Sequence, residues 1–308
     1  MDSKKKKILI AGHTGFVGKQ LSEQLDLKGY LNIIPISRSN GFDLTHPSDS
    51  YDIDCNIVVN LSGRVGIDFS WEQPEKFYKE NYLTTLNLLE IARKNNAAFI
   101  QISSYVYGEP EYQPINEGHN VKGYNPYASS KILSEKLCID YANYYQLPVT
   151  IIRPFNLYGI NQSNYFLISQ LLESAISKSN IEIYDFDAKR DYLWVGDLVN
   201  GILKVIETQK ESLNIYNIGS GKSYSAREIV NIFSAHIPSF RDYVTNNGQK
   251  ILIQDCICDN SLFSKDFSWK PKTSFSEGIK LTLNWYFENK SYYKSLSKKD
   301  ITNRLGKE

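Results

Sequence analysis

The chain has 308 residues, 42% of them hydrophobic and 22% charged, with a formal net charge of +1. That length and apolar content support a sizeable core and exclude a disordered chain. The near-neutral balance speaks against a general nucleic-acid or membrane-surface binder, and no apolar run reaches the roughly 18–20 residues that span a bilayer.

Lys4 to Lys7 form a basic run leading into a β-rich apolar stretch at 7–11. No cleavable apolar segment follows, so the run reads as a solvated leader. GHTGFVG (12–18) comes next, then a helical pattern to about residue 28 and a second strand at 32–37. NIVVNL (56–61) is a buried strand, and 75–95 is a helix with Phe77, Leu83, Leu86, Leu89 and Ile91 as its apolar positions. A strand at 99–103, a long helix at 127–146 stopped by Pro148, and a strand at 149–153 follow. Such alternation predicts an α/β fold with a doubly wound parallel sheet.

From about residue 159 apolar strands become rarer. Short strands at 181–184 and 215–218 are separated by a helix near 195–207, and further helices occupy 225–236 and 276–289. The expected division is 1–158 as the sheet domain and 159–308 as a smaller, mixed domain, with segments near 191–222 returning to the sheet. Cys55, Cys138, Cys256 and Cys258 form no CxxC pair and no zinc spacing with the four histidines, so no metal is expected. Cys256 and Cys258 alternate with their neighbours as on one face of a strand. A reducing cytoplasm is the expected compartment.

Gly12, Gly15 and Gly18 place G-x-x-G-x-x-G between the first strand and first helix. Glycine allows positive φ and close approach to a phosphate, and the helix start offers free N–H groups to a pyrophosphate. This is the position of a Rossmann dinucleotide loop, with Thr14, Phe16, Val17 and, after the third strand, Leu61 as further cofactor positions. An acid ending the second strand would bind the ribose hydroxyls of NAD. Here Ser37, Arg38 and Ser39 stand there instead, suited to a 2′-phosphate, so NADP is favoured over NAD.

Tyr127 and Lys131 share one face of a helix as Y-x-x-x-K. A free tyrosine titrates near about 10, and a nearby ammonium is expected to lower that value, letting the phenol exchange a proton with a substrate oxygen. Tyr286 and Lys290 repeat the spacing without any companion motif and read as a solvated helix face. Ser103, ending its strand, can place a hydroxyl beside Tyr127; Ser104 is the rival.

GHTGFVG, QISSYVYG, NPYASSK, IIRPFNLYG, RDYLWVGDLV and the tail FSWKPKTSFSEGIKLTLNWY, in this order over almost the whole chain, resemble the extended short-chain dehydrogenase/reductases that act on nucleotide sugars. The resemblance puts Ser103 ahead of Ser104 as the hydroxyl donor, with Tyr127 as acid/base and Lys131 as ribose-binding partner. It implies substrate contacts from Asn156 and, to a nucleotide diphosphate, from Arg190, whose alternative is a structural ion pair. Asn81 matches a family asparagine near the site, or serves as a buried structural amide. The family's dehydratases carry Asp-Glu where this chain has Ser104 and Tyr105, which argues against 4,6-dehydration; both residues are expected at the substrate.

The resemblance therefore implies an NADP-dependent 4-ketoreductase of a nucleotide-linked 4-keto-6-deoxysugar. The alternative is an NAD-dependent 4-epimerase, and a remote one is a non-catalytic binding protein that keeps the fold. The expected partners are a nucleotide-diphosphate sugar and a second copy of the chain, with no nucleic acid and no membrane.

Overall fold

The computed structural model describes residues 3–46, 52–248 and 255–289. Its first half runs β1 (Ile8–Ala11), α1 (Phe16–Leu27), β2 (Ile33–Ile36), β3 (Ile57–Asn60), α2 (Ile67–Glu72), α3 (Pro74–Lys94), β4 (Ala98–Ile102), α4 (Pro126–Tyr145) and β5 (Val149–Pro154). Then come β6 (Asn156–Tyr158), α5 (Leu167–Ser177), β7 (Ile181–Ile183), β8 (Lys189–Trp194), α6 (Val195–Thr208) and β9 (Asn214–Ile218). The chain continues with β10 (Ser223–Ser225), α7 (Ala226–His236), β11 (Val244–Asn246), α8 (Ser261–Phe267) and α9 (Phe275–Glu288).

Six strands form one parallel sheet in the order β2-β1-β3-β4-β5-β9. Both faces of such a sheet are covered, which is why its strands are continuous apolar runs. Side chains alternate across it. Ile8 and Ile10 of β1 join Leu21 and Leu25 of α1 and Leu198 and Ile202 of α6 in one core. Leu9 and Ala11 join Leu88 and Ala92 of α3 and Cys138 of α4 in the other. From β1 the chain moves outward to β2, then returns to β3 on the opposite side. The crevice at this reversal, beyond the carboxyl ends of β1 and β3, is where open parallel sheets hold ligands.

A three-stranded sheet, β10-β8-β6, and a parallel pair, β11-β7, lie outside this frame. Their core is aromatic, with Tyr158, Phe233, Phe240, Phe275 and Tyr286 buried together. Tyr286 thus belongs to a core and not to a solvated helix face, because α9 turns it onto α5 and α7; Lys290 lies outside the described residues. Cys256 and Cys258 are buried, but the described chain around them is irregular and makes only a single bridge, Ile115 to Cys258. Both cysteines face one cluster with Tyr107, Ile115 and Phe155, but residues 255–258 form no named strand, and 251–254 lie outside the described residues. No helix among the described residues is long and apolar enough to cross a membrane.

Candidate active site

The glycine loop closes the crevice from the β1 side. Gly12 has φ +83°, and a Cβ there would lie 2.9 Å from the Ser62 backbone nitrogen, just past β3. A Cβ on Gly18 would lie 2.2 Å from the Gly12 carbonyl oxygen. The loop therefore packs backbone on backbone, and any side chain at these two positions would fill it. Gly15 is the N-cap of α1 and brings no side-chain cap, so the helix's first N–H groups stay open to an anion. Thr14 and Gly15 are exposed, while Phe16, Val17 and Leu61 are half-buried around them. This cradle fits a dinucleotide pyrophosphate.

At the end of β2, the Ser37 backbone N–H donates to Asn40 Oδ1 at 2.7 Å, and the Ser37 and Ser39 hydroxyls lie 2.7 Å apart. Ser37 is buried, whereas Arg38 and Ser39 are exposed. Arg38 Nη2 donates to Glu80 Oε2 of α3 at 2.9 Å. No acid stands among Ser37, Arg38 and Ser39 at the end of β2, although the Glu80 and Asp43 carboxylates lie against Arg38.

Pro126 and the Asn125 cap, whose Oδ1 accepts the Ala128 N–H at 2.7 Å, start α4 beside the carboxyl end of β4. Tyr127 and Lys131 then fall one turn apart on the face toward β4. Lys131 is buried and its Nζ donates to the Ile102 carbonyl at 2.8 Å. Burial lowers its pKa to about 8, with the Glu135 carboxylate opposing that fall. The neighbouring Ser104 side chain pulls the Tyr127 phenol down, but burial is the larger influence and pushes it up. Lys131 is not among the influences on the Tyr127 phenol, on which burial weighs most.

The two serines part ways at the strand end. Ser103 continues β4, its N–H donating to Ile152 O at 2.8 Å, and its buried hydroxyl donates to Glu135 Oε1 at 2.5 Å. Glu135 sits one turn beyond Lys131 and takes a two-pronged contact from Arg153, at 2.6 Å from Nη2 and 3.0 Å from Nε. Arg153 Nη1 donates to the Tyr107 hydroxyl at 2.9 Å, which donates to Asn217 Oδ1 at 2.6 Å. Ser104, the next residue, is the serine whose side chain acts on the Tyr127 phenol.

Tyr105 packs edge-on against Tyr107, Tyr124 and Phe155, and its hydroxyl donates to Gly108 O at 2.6 Å. Asn156 on β6 is exposed, and its Nδ2 reaches Asp191 O at 3.4 Å. Arg190 on β8 donates to its neighbour's carbonyl and meets no carboxylate among the described residues; its charge reaches Tyr105, Tyr124 and Cys256. Its alternative of a structural ion pair is not what it makes. Asn81 takes the buried structural role: Oδ1 accepts the Arg64 N–H at 2.7 Å, and Nδ2 donates to Ser130 Oγ at 2.8 Å. The reading of Asn81 as a substrate contact is corrected accordingly. Sequence reasoning missed Tyr124, Glu135 and Arg153, although Glu135 continues the Tyr127–Lys131 face by one turn.

A backbone cradle at the reversal of strand order, facing a tyrosine and lysine on the helix after β4, defines a Rossmann-fold oxidoreductase. The family described as NAD dependent epimerase/dehydratase matches residues 8–219, and the chain belongs to it, as an NAD(P)-dependent enzyme of the extended short-chain dehydrogenase/reductase kind. It is similar to the GDP-6-deoxy-D-mannose reductase of Pseudomonas aeruginosa, 29% identical over 243 residues covering 74% of this chain and 79% of that one. It is also similar to the UDP-glucose 4-epimerase of Haemophilus influenzae, 28% identical over 263 residues covering 78% of each. The fold matches that of RMD from Pseudomonas aeruginosa complexed with NADPH, with a TM-score of 0.81, 24% identity, and coverage of 91% of this chain and 98% of that one.

Proposed function

We propose that the protein is an NADP-dependent 4-ketoreductase of a nucleotide-linked 4-keto-6-deoxysugar. The observation that carries this reading is that β2 ends in Ser37, Arg38 and Ser39 with no acid among them, and that Arg38, though paired with Glu80, is exposed. The likeness to a GDP-6-deoxy-D-mannose reductase and the replacement of a dehydratase acid pair by Ser104 and Tyr105 support it.

The nicotinamide cofactor supplies the hydride. Tyr127 donates its phenolic proton to the ketone oxygen as negative charge grows there, so a phenol held high in pKa by burial is in the right form at neutral pH. Ser104 polarises the same oxygen, the role the resemblance gives to Ser103, because the Ser103 hydroxyl is spent on Glu135. Lys131 holds the cofactor ribose. Asn156 and Arg190 take the sugar and the diphosphate, the latter with a planar cationic fork. Exposed Tyr78 and Tyr82 on α3 and Leu133 and Tyr144 on α4 support a homodimer through these helices, which sedimentation velocity tests.

Incubation of the purified chain with NADPH and such a keto-sugar tests the reaction. Stoichiometric loss of NADPH absorbance is expected, and Tyr127→Phe should lower the rate by about 10²–10⁴-fold while the thermal melt is retained. The likeness to UDP-glucose 4-epimerases favours a second reading: sugar interconversion with no net loss of cofactor, and NAD retained through purification. That result would replace the first reading.

A further inference from the structure

Arg38 is not the sole cation at the adenosine end of the crevice. Arg64 follows β3, on the other side of β1 from Arg38, and its Nε lies 2.8 Å from Glu80 Oε1. The other oxygen of the same carboxylate accepts from Arg38 Nη2 at 2.9 Å. One glutamate thus holds two guanidiniums that arrive from strands flanking the glycine loop. The Arg64 contact is ionic and off the N–H axis, so this buried Nε–H has no hydrogen-bond partner. The Arg64 backbone is fixed by the next residue of α3, Asn81, whose Oδ1 accepts its N–H at 2.7 Å. Arg38 spends one Nη on Glu80, and its Nε stands 3.9 Å from Asp43, so much of its donor edge remains open. Arg38 and Arg64 are thus balanced by Glu80 and Asp43, with the Arg64 Nε–H left without a hydrogen-bond partner.

We propose that Arg64 and Glu80 complete a 2′-phosphate subsite with Arg38: Glu80 holds the two arginines as a pair, and a phosphomonoester on the adenosine ribose takes the edges that Glu80 leaves open. The proposal rests on the NADP reading of the end of β2. It adds that preference for the phosphate is set by two arginines and the carboxylate that spaces them. A phosphate dianion matches guanidinium forks in geometry and charge.

Calorimetry with 2′,5′-ADP and 5′-AMP on the full chain tests it, because neither probe carries nicotinamide or sugar. The wild type is expected to prefer 2′,5′-ADP by about tenfold or more, as hydrogen bonds to charged groups warrant. Arg64→Gln should erase most of that preference while leaving 5′-AMP binding within about twofold, and Arg64→Lys should keep part of it. Glu80→Gln should reduce the preference although it removes a negative charge, since the pair loses its spacer. An unchanged preference in Arg64→Gln, or a gain in 2′,5′-ADP affinity in Glu80→Gln, overturns the proposal. Absence of ketoreductase turnover with the 2′,5′-ADP preference intact would sink the reaction reading alone and leave the subsite standing.

Discussion

Adjacent serines at the end of β4 open onto two regions built on opposite terms. Beneath Ser103, every polar group is spent on another: Glu135 takes Ser103 and Arg153, Arg153 takes Tyr107, and Tyr107 takes Asn217. Above it, Ser104 stands beside Tyr127, and α1 starts with no side-chain cap. Buried polar groups that are fully paired hold a structure, whereas groups left short of partners beside a cleft are free to bind and react. The difference teaches that polarity near a reaction centre is not itself catalytic; what matters is whether a partner is missing.

The comparison can be broken at several points. The largest effect is expected from Arg153→Leu, which strands the Glu135 carboxylate without its cation. Urea unfolding should show a loss of about 3–5 kcal/mol, and a loss under about 1 kcal/mol would mean that the lower region is not closed. The serines sharpen the contrast at smaller scale. Ser104→Ala should lower kcat about tenfold or more with an unchanged melt, whereas Ser103→Ala should cost about 1–3 kcal/mol of stability and little turnover. Steady-state rates and thermal melts on both variants decide it, and the reverse pattern would restore Ser103 to the chemistry.

The smallest effect is a shift in pH dependence. Lys131 is depressed to about 8, so its charge is present below that pH and lost above it, and turnover should decline as pH rises through about 8. Glu135→Gln removes the charge that opposes this depression, so the same decline should move to lower pH. A kcat/KM profile flat through that range would detach Lys131 from the reaction.

The upper region was far more legible in the sequence than the lower. Gly12, Gly15 and Gly18 are local, and Tyr127 and Lys131 obey the helical period, so spacing alone places them. The choice between Ser103 and Ser104 turns on a single position: motif alignment favours Ser103, whose hydroxyl is paired with Glu135, while Ser104 is the serine that acts on the Tyr127 phenol. Arg153 hides in an apolar strand, VTIIRP, where nothing local marks its partner, and its bond to Glu135 depends on packing α4 over β5. The Arg38–Glu80–Arg64 contact joins three segments that only the strand order brings together. Beyond β5, strands β6 and β10 have three residues each, too few for a period to show, and β8 runs into α6 with no connecting loop.

The placement of β9 has a consequence for biosynthesis. Residues 214–218 cover the outer edge of β5, and Asn217 closes the hydrogen-bond chain that begins at Ser103. A nascent chain emerging from the ribosome therefore carries an unpaired, apolar strand edge from the moment β5 forms until β9 is made, a known hazard for wrong pairing. The six-stranded sheet, for all the local regularity of its first half, is not complete at residue 158; its last strand is supplied by residues 214–218, after α5, β7, β8 and α6.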